Sequence, residues 1–96
     1  MTDVDRAYVY WEKNGDIYMV NLSKVSFIDV TYEDGLLAID FYAPSGIRRT
    51  FMKQVESASR EDIKILLMYL AGHSGIADLS EVIDSIFKGK EKGDRK

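Results

Sequence analysis

The sequence predicts an α+β domain: a five-stranded antiparallel β-meander followed by two C-terminal helices packed on one sheet face, in the order βββββαα. Three observations predict it. Asn14-Gly15 and Asp34-Gly35 each join segments that alternate apolar and polar side chains. A type I′ hairpin needs positive φ at both central positions, and Asn-Gly and Asp-Gly are the pairs that supply it. Further on, Ile63, Leu66, Leu67 and Leu70 recur at i, i+3, i+4 and i+7, the spacing of one helix face.

The elements follow in order. Strands are expected over 6–13, 16–22, 25–33, 36–43 and 47–54, the last pair joined through Pro44-Ser45-Gly46, where Pro sets φ and Gly supplies a left-handed residue. Ser57 or Ser59 caps the first helix, Glu61 and Asp62 suit its positive end, and Gly72 stops it. Asp78-Leu79-Ser80-Glu81 opens the second helix as a variant capping box with Asp in the first place. Leu79, Val82, Ile83, Ile86 and Phe87 form its apolar stripe, and Gly89 ends it.

With 96 residues the chain makes one domain, 1–87, followed by a basic tail, 88–96, whose composition predicts disorder. The tail holds five basic and two acidic residues, so +3 of a formal net charge of −3 sits there and the body carries −6. An acidic body argues against a broad phosphate-binding footprint. The absence of cysteine excludes disulfides, thiolate nucleophiles and cysteine metal sites. The opening MTDVDRAY is polar and acidic, and no apolar run approaches a membrane span, so a cytoplasmic, water-soluble chain is expected.

Two-residue turns also fix register. Around Asn14-Gly15, Trp11 faces Tyr18, Val9 faces Val20 and Ala7 faces Leu22. Around Asp34-Gly35, Tyr32 faces Leu37, Val30 faces Ile39 and Ile28 faces Phe41. One sheet face is therefore core, comprising Val9, Trp11, Tyr18, Val20, Ile28, Val30, Ile39 and Phe41. The second face gathers Tyr8, Tyr10, Met19, Phe27 and Tyr42 with Glu12, Asp29 and Asp40. Aromatics and Met set among polar groups have the composition of an interface centre. This reading gives a non-catalytic protein-binding module of regulator, inhibitor or adaptor type, self-associating as a homodimer, with Tyr10 and Phe27 as anchors. The alternative is a single-stranded nucleic-acid-binding protein that stacks bases on the same aromatics with help from the tail. Ile65, Met68 and Tyr69 lie beyond the first helix's core stripe; the second helix is expected to pack across them, or they extend a partner surface.

Chemistry is sparse. Asp29 opposite Asp40 is the one carboxylate pair, and two side chains on an open sheet supply too few oxygens for calcium. Arg48 or Arg49 lands on the same face whichever register strand five takes, which predicts an Asp-Arg-Asp network and a register-fixing cation for a partner. Strand five itself, with Arg48, Arg49 and Lys53, reads as an edge. His73, in Ala71-Gly72-His73-Ser74-Gly75, reads as part of a flexible inter-helix loop, since the glycine spacing is wrong for a nucleophile elbow and no acidic third member is evident. The glycines do not match a phosphate loop. No cofactor and no metal site is expected.

Overall fold

The computed structural model describes residues 7–88. It is an α+β fold with two three-stranded sheets. The elements are β1 (Ala7–Lys13), β2 (Asp16–Asn21), β3 (Phe27–Glu33), β4 (Leu36–Tyr42), β5 (Arg48–Gln54), α1 (Arg60–Gly72), β6 (Gly75–Asp78) and α2 (Leu79–Ile83), the last continued by a π-helical turn, Asp84–Lys88. One sheet has the order β2-β1-β6 and the other β3-β4-β5.

Both predicted hairpins form in the predicted register. Asn14 and Gly15 adopt φ of 51° and 86°, and Asp34 and Gly35 adopt 52° and 80°. Trp11 pairs with Tyr18 and Val9 with Val20; Val30 pairs with Ile39 and Ile28 with Phe41. Ser59 caps α1 with the reciprocal bonds of a capping box, its Oγ accepting from Asp62 N–H at 3.1 Å and its own N–H donating to Asp62 Oδ2 at 3.2 Å. Asp78 caps α2, accepting from Ser80 N–H at 3.0 Å. The stop expected at Gly89 and all of the basic tail beyond Lys88 lie outside the described residues.

Three expectations are corrected. The meander is not one sheet, because β2 and β3 do not pair. Asn21 Oδ1 accepts from both the N–H and the hydroxyl of Ser23, at 3.0 and 2.7 Å. That local bonding winds Leu22–Lys24 into a 3-10 turn in place of a hairpin. No Gly stands there to reverse the chain tightly, and the predicted Ala7–Leu22 pair is lost because the ladder ends at Tyr8–Asn21. The segment between the helices is also not a loop: Gly75–Asp78 adds to β1 as a parallel strand, entered through Gly75 at φ 90°. Finally, α2 does not cover the outer stripe of α1, since Ile65 is 52% exposed and Met68 72%.

A single core joins the sheets. Trp11 stacks on Tyr18 and on Phe41, with ring centroids 5.6 and 6.0 Å apart, and meets Phe51 edge-on at 5.4 Å. Val9, Val20, Leu37 and Ile39 are buried around it. Leu66 and Leu70 of α1, with Leu79, Ile83 and Phe87 from α2 and its extension, complete the same cluster. Tyr18, Ile28 and Val30, expected in the core, pack against it while partly buried. The Tyr32 hydroxyl, 3.0 Å from Val55 O and 3.1 Å from Glu56 O, ties β3 to the segment after β5. Lys53 donates to Ser80 Oγ at 3.1 Å and sits 3.5 Å from Asp84, linking β5 to α2. Among the described residues, no helix is long and apolar enough to cross a membrane.

Trp11→Ala is expected to cost about 3–5 kcal/mol in urea unfolding, because it empties the joint between the sheets. Ser59→Ala removes one cap and costs about 1 kcal/mol, which for a domain this size lowers Tm by roughly 4–8 °C. Equal losses from the two would contradict the central place given to Trp11.

Candidate functional site: the outer face of the β3-β4-β5 sheet

Because Trp11 brings the inner faces of the two sheets together, their outer faces look away from a shared core on different sides. The single second face expected from the sequence is thus divided. Tyr8, Tyr10 and Met19 lie on the outer face of β2-β1-β6, beside Ile76 and Asp78. Phe27, Asp29, Asp40 and Tyr42 lie on the outer face of β3-β4-β5. The proposed anchors Tyr10 and Phe27 do not share a surface.

The register of β5 settles the arginines. The Pro44-Ser45-Gly46 loop closes with Ala43 N–H donating to Ile47 O and Gly46 N–H to Ala43 O, both at 2.9 Å, so Tyr42 faces Arg48. Phe51 then faces Ile39 and turns into the core, which sends Arg48, Thr50 and Met52 outward. Arg49 faces Phe41 on the inner side, is exposed at the rim, and donates to the Arg48 carbonyl. The expected Asp-Arg-Asp network does not form. Thr50, not arginine, stands opposite Asp40 and donates its hydroxyl to Asp40 Oδ1. β5 is an edge strand, as its charges suggested.

The outer face reads as four rows across the three strands: Phe27-Tyr42-Arg48, Asp29-Asp40-Thr50, Thr31-Ala38-Met52 and Glu33-Leu36-Gln54. Phe27 and Tyr42 meet edge-on at 5.5 Å. Even so, Phe27 is 59% exposed and Met52 51%. Among the described residues, Asp29 makes no side-chain hydrogen bond or ion pair, and neither Asp is within 4.0 Å of a cationic group. The face therefore combines exposed apolar area with carboxylates that no cation of the described chain neutralises. Leu36, Thr50 and Met52 were missed from the sequence. For Thr50 and Met52 the signal was the need to bury Phe51, which sets the alternation of β5; for Leu36 it was the Asp34-Gly35 register, which sets it opposite Glu33.

The other outer surface is a groove of about 530 Å³ beside β6, lined by Tyr10, Tyr69, Ile76, Val82 and Ile86. His73 does not line this groove; it lines a separate hollow with Leu22, Leu67 and Leu70. Its Nε2 lies 3.2 Å from Tyr8 O and its ring stacks on Tyr69 at 5.2 Å, so it anchors the end of α1 to β1. Among the described residues, no group of three or more His, Asp or Glu is placed to hold a metal. No protein-family model matches the chain, and neither a curated protein nor a solved structure matches it.

Proposed function

We propose that this chain is a non-catalytic protein-binding module whose recognition surface is the outer face of the β3-β4-β5 sheet. The observation that carries the reading is Phe27, 59% exposed in the same row as Tyr42 and Arg48. Aromatic, Met and Arg side chains together are the residues in which interface energy concentrates. Its charge favours protein over nucleic acid: Asp29, Glu33 and Asp40 outnumber Arg48, the wrong sign for a phosphate backbone. His73, committed to Tyr8 and Tyr69, supports a structural and not a catalytic role for the one histidine. A cysteine-free chain suits a cytoplasmic regulator, inhibitor or adaptor.

Self-association has its support elsewhere, on α1. Ile65, Met68 and Tyr69 lie at i, i+3 and i+4 and are exposed. An antiparallel pairing of α1 with a second copy about a twofold axis sets each Ile65 beside the other copy's Met68, and each Lys64 beside the other Tyr69. It also opposes the two helix dipoles.

Two measurements test these readings. Peptide display against the protein is expected to enrich binders that lose affinity for a Phe27→Glu variant whose Tm is unchanged; enriched binders indifferent to that variant would overturn the sheet face as recognition surface. In sedimentation equilibrium the chain is expected to dimerise, and Met68→Glu to leave a folded monomer, its stability within about 0.5 kcal/mol of the parent. A parent chain that stays monomeric at high concentration removes the α1 dimer and leaves the sheet face as it stands.

A further inference from the structure

The rows of the outer face specify a partner chemistry, an inference that rests on that face being the recognition surface. Along one face of a strand, successive side chains stand two residues apart, about 6.8 Å. The face therefore presents, in sequence, an aromatic step (Phe27, Tyr42), an acidic step (Asp29, Asp40) and an apolar step (Ala38, Met52). Covering it removes two carboxylates from water. Asp40 keeps only the Thr50 hydroxyl, and Asp29 has no partner among the described residues. Desolvating unpaired carboxylates is strongly unfavourable, and a cation brought by the partner offsets it.

A second copy docked through the same face does not supply it. The face carries Asp29, Glu33 and Asp40 against Arg48, so two copies face to face gather six carboxylates around two guanidinium groups. We infer that the face takes an extended, basic protein segment of the pattern apolar-x-Lys/Arg-x-apolar. Alternate side chains of an extended chain repeat at the spacing of the rows. The cation then lies over Asp29 and Asp40, one apolar side chain rests on Phe27 and Tyr42, and the other on Ala38 and Met52.

The test is fluorescence anisotropy with the full chain and a labelled peptide Ser-Leu-Thr-Arg-Thr-Leu-Ser. The peptide is expected to bind, and binding is expected to weaken about tenfold or more on Asp29→Asn with Asp40→Asn, a pair that keeps an acceptor for Thr50. Replacing the peptide's Arg by Glu, or both Leu by Ser, is expected to abolish binding. Thermal melts confirm that the variants fold. No binding, equal binding to the double variant, or equal binding of the Ser-substituted peptide would overturn the proposal. So would Phe27-dependent binding of a single-stranded oligothymidylate in its place. If display yields Phe27-dependent peptides without a basic centre, this inference falls and the recognition face stands; if display yields none, both fall.

Discussion

The packing of Trp11 between the two sheets is the contact on which the rest of the structure depends. An indole buries more apolar area than any other side chain and tolerates partners on both its faces and its edge. Here those partners are Tyr18 from its own hairpin and Phe41 and Phe51 from the other sheet. No backbone ladder joins the two sheets. Side-chain packing therefore holds them together, with the two helices closing the remaining sides through Leu66, Leu70, Leu79 and Ile83. A short chain buries a modest share of its surface, so concentrating the core around one large ring is an efficient arrangement.

That arrangement also decides where function can reside. Inner faces that meet leave outer faces that part, and each outer face keeps its own character. The β3-β4-β5 face is acidic and aromatic in register, row by row. The surface made by α1 and β6 carries Met68 and Ile76, among the most exposed large hydrophobic side chains of the described residues. Two surfaces of different chemistry match the two contacts proposed above, one with a charged ligand and one with a second copy.

Much of this was legible in the sequence, for identifiable reasons. The hairpins were readable because positive φ is a local demand that Asn14-Gly15 and Asp34-Gly35 meet by themselves. The helix caps were readable because Ser59 and Asp78 bond within three residues. The division into two sheets was harder. It turns on Asn21 bonding Ser23, a choice between two local arrangements with similar signals. Strand β6 was hidden because four residues carry no periodicity, and its partner β1 lies more than sixty residues away. Tyr8, Tyr10, Met19, Phe27, Asp29, Asp40 and Tyr42 were legible as second-face residues, whereas Leu36, Thr50 and Met52 were not. The division of that face was not legible, since it follows from how the sheets meet. Thr50 in place of an arginine opposite Asp40 followed from Phe51, whose burial outranked the pairing of charges.

The parallel pairing of β1 with β6 has a consequence in time. β1 emerges from the ribosome before the strand that completes its sheet, which follows only after both hairpins and α1. Until then Val9 and Trp11 must wait with one strand edge open and with Leu79, Ile83 and Phe87 absent from their core. Contacts so distant in sequence slow folding and prolong the exposure of sticky surface. The segment from α1 onward thus acts as the latch of the fold, and the nascent chain is most vulnerable to misassociation just before that latch arrives.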